Sequence, residues 1–474
     1  MYEPIVGVEV HAQLTTSSKM FCSCRAEFGA EPNTNVCPVC LGLPGSLPVT
    51  NRKAVEQVIR TGLALGCEVG TLCRFYRKNY FYPDLAKNYQ ISQYDEPLTF
   101  GGRMELSVEG RPVSIRIRRA HLEEDTGKNI HLPNGRSLVE YNRCGVPLME
   151  IVTEPDFRSA AEVREYLLQL RRLLWYLGVS TANMEEGALR AEPTVNLRDP
   201  ETGERTPKVE IKNLASIRAV HDAVEYEIRR QYHCLETGEP MQQETRRWNE
   251  AQGITTVMRT KESAEDYMYF PEPDLVPIEP EPEWVEAIRA ALPELPQARQ
   301  QRFVAEYGLP EYDAQVLTED RATADYFEAV VQACGEPKAC SNWVMGDLQR
   351  LLNESGCSIT ESRVSPQQLA ELIGTIKDGT ISHNIAQAVL PKMWATGHSA
   401  REVIAAENLA LISDATEIEK LVDEAIAANP KAVADYRGGK EKALGAIVGH
   451  VMRQTKGQAN AAVVNELILA RLNG

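Results

Sequence analysis

The 474-residue chain contains no run of about 18 apolar residues, the length a membrane-spanning helix requires. Its opening, MYEPIVGVEV, has neither a basic segment leading into an apolar one nor an Arg-rich amphipathic pattern. A secretory or transit signal is therefore not expected there, and a cytoplasmic location is. Cationic excess is missing too. The formal net charge is −16, which excludes nucleic-acid binding through bulk charge and leaves that task to local basic patches. The 11 cysteines are odd in number and widely scattered, unlike a secreted disulfide framework. Neither G-x-x-x-x-G-K-[ST] nor a G-x-G-x-x-G after a strand occurs, so any nucleotide site is neither P-loop nor Rossmann. No internal repeat is visible.

What is present divides by pattern. Residues up to about 270 are rich in β-branched runs and Gly turns, such as RMELSVEG and VSIRIRRAHLEED. Helical signals interrupt them, notably SAAEVREYLLQLRRLLWYLG, with Ser159 as its N-cap and Gly178 as its stop. The proline-rich stretch PEPDLVPIEPEPE (271–283) cannot continue a helix or a central strand, and marks a first boundary. Beyond it the pattern is helical, with a further shift near residue 400 and about four short helices at the end. The fold class expected is α+β, a sheet region followed by all-α regions.

Four constellations carry chemistry. In GVEVHAQL (7–14), Val8 and Val10 alternate with Glu9 and His11, so a strand would turn the carboxylate and the imidazole to one face. HLEEDTGKN gathers His121, Glu123, Glu124 and Asp125, and PLMEIVTEPD sets Glu150 inside an apolar run. A carboxylate there is costly to bury unless paired or metal-bound, although an edge strand would leave it wet. Such oxygen-rich sets suit Mg²⁺ or Mn²⁺, and magnesium commonly also holds substrate phosphates, so a nucleotide is implied. The second constellation is CSCRAEFGAEPNTNVCPVC. Cys22, Cys24, Cys37 and Cys40 form two close pairs suited to tetrahedral zinc with no open position, the alternative being an empty or redox-active site. The other seven cysteines read as buried apolar residues. In the third, FYRKNYFYPDLAKNYQISQYD, Arg77, Lys78 and Lys87 are placed for phosphates and Tyr80, Tyr82 and Tyr89 for stacking on a base, unless this is a surface hairpin. The fourth is RGGKEKALGAIVGHVMRQTK, where Arg437, Lys440, Lys442, Arg453 and Lys456 face only Glu441. It fits contact with a phosphate backbone, or is a solvated helix face.

These residues in this order resemble the B-subunit family of aspartyl/glutamyl-tRNA amidotransferases. The likeness runs through GVEVHAQL, CPVCLGLPG, RKNYFYPDLAKNYQISQYD, HLEEDTGK, NRCGVPLMEIVTEPDFRS, MEEGALR, QETRRW, DYMYFPEPDL and VMRQTKGQA, across essentially the whole chain. No domain is inserted in the helical half, as in the bacterial rather than the archaeal type. The resemblance implies a cradle similar to the glutamine synthetase sheet at 1–292 with a zinc knob at 22–40, a helical domain at 293–404 and a tRNA-binding tail at 405–474. It implies an ATP-dependent ligase that phosphorylates the side-chain carboxylate of Glu-tRNA(Gln) or Asp-tRNA(Asn) and amidates it with ammonia from a glutaminase partner. Partners implied are the amidase (glutaminase) subunit and the small third subunit of a heterotrimer, with the cognate non-discriminating aminoacyl-tRNA synthetase as a further candidate.

On matching positions, the resemblance makes His11, Glu124 and Glu150 the Mg²⁺ or Mn²⁺ ligands, with Glu9 beside them. Glu123 and Asp125 are candidates for a second ion or for handling ammonia. Lys78 and Lys87 are candidates for phosphates or a tunnel mouth, and structural Zn²⁺ falls to the four cysteines. Two departures stand out: Ala191-Glu192 replaces a Cys-Asp pair, and Met268 replaces an arginine. A non-catalytic tRNA-binding scaffold is the rival. Acids at Glu9, Glu124 and Glu150 argue against it, since without a metal they would repel phosphate. A zinc hydrolase is excluded by the closed four-cysteine set.

Overall fold

The computed structural model describes residues 2–260, 268–412, 415–455 and 457–473. They form two compact units, Met1–Leu295 and Pro296–Gly474. The first holds fourteen strands among its described residues: β1 (Glu3–Gln13), β2 (Glu68–Val69), β3 (Tyr76–Asn79), β4 (Tyr89–Ser92), β5 (Thr99–Val108), β6 (Arg111–Glu124), β7 (Lys128–His131), β8 (Ser137–Glu140), β9 (Pro147–Thr153), β10 (Leu189–Arg198), β11 (Val209–Lys212), β12 (Glu244–Asn249), β13 (Ile254–Thr260) and β14 (Met268–Pro271). Twelve of them build one sheet in the order β13-β12-β11-β10-β1-β9-β6-β4-β3-β14, with β5 on β6 and β2 on β5. Its pairings are antiparallel except β11–β12. The hairpin β7–β8 stands apart.

The alternation expected for β1 is realised. Val6, Val8, Val10 and Ala12 are buried in the apolar core, while Glu9, His11 and Gln13 point the other way. Three helices cover the apolar face: α1 (Arg52–Ala64), α2 (Ala160–Leu177) and α3 (Ile217–Thr237). Each starts on a side-chain cap, Asn51, Ser159 or Ser216, whose oxygen accepts from the first-turn amides. The chain leaves α2 at Gly178 with φ 65°, a left-handed turn that glycine makes without a Cβ penalty. Val55, Ile59, Val163, Leu167, Leu170 and Val224 pack against the strand residues Val8, Val10, Met149 and Ile151. Burying an aliphatic side chain of this size contributes about 1.5–3 kcal/mol. One face of the sheet is thus committed to the core, and the other is left for polar side chains.

The proline-rich stretch packs on the first unit. Glu272, within it, is bound by Arg77, Ile278 bridges to Cys73, and helix α4 (Pro282–Ala290) sets Trp284 under the Arg52 guanidinium. Prolines break regular pairing without breaking packing. The second unit is helical among its described residues: α5 (Pro296–Tyr307), α6 (Glu311–Leu317), α7 (Arg321–Cys334), α8 (Pro337–Trp343), α9 (Gln349–Ser355), α10 (Pro366–Lys377), α11 (His383–Thr396), α12 (Ala400–Ala406), α13 (Ala415–Ala428), α14 (Pro430–Arg437), α15 (Leu444–Gln454) and α16 (Ala461–Asn473), with single π- and 3₁₀-turns between. Its buried apolar residues fall into two groups, one from Phe303 to Ile404 and one from Ile418 to Leu472. Of the seven other cysteines, Cys334, the last residue of α7, and Cys357, just past the Gly356 cap of α9, are only half-buried. No described helix is long and apolar enough to cross a membrane.

Candidate metal centre on the polar face

The centre is built by three adjacent strands. In β1, β9 and β6, His11 sits opposite Glu150, and Glu150 opposite His121. Two residues beyond His121 on the same face comes Glu123. His11 Nε2 lies 3.6 Å from Glu123 Oε1 and 3.7 Å from Glu150 Oε2, and His121 Nε2 lies 3.3 Å from Glu150 Oε2. One ligand atom from each of His11, Glu123 and Glu150 falls within 4.8 Å of the others. His11 Nδ1 and His121 Nδ1 are buried and have no hydrogen-bond partner. Two carboxylates and an imidazole converging this closely fit a divalent cation with oxygen and nitrogen preference. His121, behind Glu150, is placed to orient it, as outer partners do around metal ligands.

The electrostatics are those of crowded, desolvated acids. Burial and then the neighbouring Glu150 push the Glu123 carboxyl up to about 8. Burial, followed by Glu150, Glu192 and Glu210, raises Glu9 to about 7. Burial also opposes ionisation of Glu150, but His121 and then His11 outweigh it and hold that carboxyl well below its ordinary range. Burial lowers the His11 imidazole, keeping it neutral and able to ligate. Lys78, on β3, adds positive field at both Glu123 and Glu150.

Glu124, expected as a ligand beside His11 and Glu150, is not there. It follows Glu123 in the strand and points to the opposite side of the sheet. Both its oxygens accept from Lys87 Nζ at 2.6 Å, and Oε1 also accepts from the Ile91 amide at 2.9 Å. Glu123, expected at a second ion or in ammonia handling, takes the place beside His11. Lys87 is therefore committed to Glu124 on the reverse side, away from Lys78. Asp125 is likewise committed, accepting from Gln13 Nε2 at 2.7 Å and Arg190 Nη2 at 2.9 Å. Burial opposes its ionisation, and Arg190 and Arg143 outweigh that and lower it. Arg190 was missing from the expected site, and His121, gathered with the acids of HLEEDTGKN, was given no role in it. His121 carries a signal in the sequence, two residues before Glu123; Arg190 is recognisable only once it pairs opposite His11.

The four thiols of Cys22, Cys24, Cys37 and Cys40 also meet within 4.8 Å, a closed set that fits one tetrahedral metal. They lie on the reverse side, where a cavity of about 60 Å³ is lined by Lys19, Cys22, Cys40, Lys87 and Glu124 among others. A larger cavity of about 580 Å³ begins at Gln13, two residues past His11, and is bounded by Phe28, Lys128, Asn142, Arg143 and Met184.

Comparison with known proteins converges on one family. The GatB/GatE catalytic domain matches residues 4–286, and the GatB domain matches residues 325–472. The B subunit of the aspartyl/glutamyl-tRNA(Asn/Gln) amidotransferase of Moorella thermoacetica is 53% identical over 474 residues, covering 99% of this chain and all of the relative. The proteins of the same name from Thermoanaerobacter pseudethanolicus (51% over 472 residues, 100% of this chain and 99% of the relative) and Thermodesulfovibrio yellowstonii (52% over 467 residues, 98% of each) agree. The chain belongs to the B-subunit family of aspartyl/glutamyl-tRNA(Asn/Gln) amidotransferases. It is one component of a tRNA-dependent amidotransferase, a ligase-type enzyme of translation.

Within this amidotransferase component, the two sequence departures have distinct surroundings. Glu192 lies opposite Glu9 and accepts from Lys212 Nζ at 2.5 Å, so its longer arm is tied to a cation shared with Glu210. Met268 is exposed at the start of β14, where its carbonyl accepts from Asn79 Nδ2. The expected stacking residues are spread out: Tyr80 is half-buried and Tyr82 exposed in the β3–β4 loop. In the tail, Arg437 ends α14, Arg453 lies in the last turn of α15, and Lys440 donates to Asp435 at 3.0 Å. Lys442 is exposed, and Lys456 lies outside the described residues.

Proposed function

We propose that the polar face of this sheet is the kinase and amidation centre of the amidotransferase. The carrying observation is the convergence of His11, Glu123 and Glu150 within 4.8 Å. A carboxylate is a poor acyl donor because oxide is a poor leaving group. The side-chain carboxylate of Glu-tRNA(Gln) or Asp-tRNA(Asn) attacks the γ-phosphorus of ATP, and ADP leaves. Ammonia then attacks the acyl carbon, phosphate leaves, and one proton passes to a carboxylate of the face. Mg²⁺ or Mn²⁺ held by His11, Glu123 and Glu150 would neutralise charge on the transferring phosphoryl group.

The chain's own residues do the rest. Lys78 supplies a further positive field at the acids. Glu9, raised toward neutrality and not among the ligands, is suited to accept the ammonia proton. The cavity from Gln13 has the volume of a small-molecule site and takes the aminoacyl end of the tRNA, with Phe28 and Arg143 at its wall. Ammonia comes from an amidase partner, held with this chain and a small third component. Zn²⁺ at the four cysteines is structural, and residues 405–474 contribute affinity for tRNA. The test is phosphate release from ATP by the assembled complex on addition of Glu-tRNA(Gln) or Asp-tRNA(Asn). Release that needs the mischarged tRNA and is lost in His11→Ala supports the kinase; release unaffected by His11→Ala leaves this chain a tRNA-binding scaffold.

A further inference from the structure

We propose that Lys19 is the counter-charge of the four-cysteine site and sets how tightly that site keeps its metal. A divalent ion held by four thiolates carries a net double negative charge, and burying charge is costly unless it is compensated. Cys40 is the buried member of the set. Its Sγ receives two donors: the Cys37 amide at 3.1 Å and Lys19 Nζ at 3.7 Å.

Lys19 itself is 1% exposed, which a lysine almost never is without a partner. Among the described residues its only other hydrogen bond from Nζ goes to the Tyr141 carbonyl at 3.3 Å. Among the described residues no carboxylate pairs with it, because the nearby Glu124 is taken by Lys87. The buried ammonium therefore faces a sulfur and a carbonyl, and only a thiolate supplies the negative charge it lacks. Its backbone is fixed from both sides. The Lys19 amide donates to Cys24 O at 2.9 Å, and Asn51, the cap of α1, donates to Lys19 O at 3.2 Å. The cation is thus tied to the knob and to the helix beneath it at once.

The inference rests on the zinc reading, and the two fail separately. Elemental analysis of the wild-type chain tests the metal. Zinc transfer from the loaded full-length chain to a chromophoric chelator tests Lys19. Removing a partner outside the ligand shell commonly costs 10–100-fold in metal affinity. Lys19→Met, of similar length without the charge, is expected to release zinc about 10–100 times more readily and to shift the thiolate-to-metal band of the cobalt-substituted protein. Lys19→Gln keeps a donor and drops the charge; it serves if the Met variant does not fold, and should still lose at least about 10-fold. Wild-type retention in a folded variant overturns the proposal. So does a loss of thermal stability that is equal with and without metal while zinc is kept.

Discussion

Glu123 and Glu124 are covalent neighbours that the fold treats in opposite ways. Glu123 faces the polar side, crowded by Glu150, with an imidazole at 3.6 Å and the Ser92 hydroxyl donating at 3.4 Å. Glu124 faces the reverse side, where Lys87 and a backbone amide satisfy it. The first arrangement leaves a carboxyl group whose ionisation is costly unless a cation arrives. The second is complete within the chain. On the proposed function, the contrast separates a place where something binds from a place where something is held.

The sharpest way to break it is to remove a member of the uncommitted set. Glu150→Gln and His11→Ala are each expected to lower tRNA-dependent ATP cleavage by at least about 100-fold, since even outer partners of a metal site cost up to that much. Folding should be intact, because neither side chain belongs to the apolar core. Wild-type phosphate release at saturating Mg²⁺ in either variant would sink the metal centre.

Next comes the paired comparison. Glu123→Gln should weaken Mn²⁺ binding, read by paramagnetic resonance, and leave denaturant stability close to wild type. Glu124→Gln should do the reverse. It leaves Lys87 buried without its charge partner, at a cost of about 3–5 kcal/mol, while Mn²⁺ binding persists. Exchanged phenotypes would mean that Glu124 is the ligand after all.

The four-cysteine knob extends the committed side. One zinc per chain is expected by elemental analysis of protein purified without added metal. Cys37→Ser should lower thermal stability more than it lowers the phosphorylation step, because a closed site has no position for substrate. A metal-free, fully folded wild type would contradict this.

A pH series sharpens the contrast further. The folded chain keeps a proton on Glu123 up to about 8 and on Glu9 up to about 7, whereas the unfolded chain releases both near 4.5. Between those values the native state binds more protons, so metal-free stability falls as pH rises, by at most about 1.4 kcal/mol per group per pH unit. Divalent ions displace those protons, so their affinity should rise over the same window. Denaturant unfolding in chelator at several pH values between 5 and 8 checks this. A wild-type slope no steeper than that of Glu123→Gln would remove it.

Much of this was legible in sequence, and the failure has an identifiable cause. The alternation of GVEVHAQL placed Glu9 and His11 correctly, and the cysteine spacing predicted the knob. The side taken by Glu124 was not legible. Counting by twos from the buried Ile115 and Ile117 would turn 119, 121 and 123 inward and put Glu124 on the polar face. The pairing of β6 with β9 shifts register between Ile117 and Arg119, so Ala120 and Leu122 point inward instead. One irregular residue reverses every side chain beyond it. The proline-rich stretch shows a further limit: composition reports the absence of regular pairing, not the absence of burial.

The smallest effect is expected where the same distinction is applied to cations. In the tail, Lys440 is exposed and committed to Asp435, while Arg437 and Arg453 occupy last turns of helices, where the helix dipole alone favours a positive side chain. Lys442 is exposed with no ion-pair partner among the described residues. These few cations suffice for backbone affinity rather than sequence readout. Replacing Lys440 and Lys442 together by Ala should raise the apparent KM for aminoacyl-tRNA modestly and flatten the salt dependence of binding by about one unit of slope per lost phosphate contact. Since Lys440 must release Asp435 to reach a phosphate, Lys442→Ala should account for most of the change and Lys440→Ala for little. Glutaminase activity of the assembled complex should stay as it is. If the double variant binds tRNA with an unchanged salt slope, and removal of residues 405–474 changes binding no more, the tail is a solvated helical bundle and tRNA affinity lies elsewhere in the enzyme.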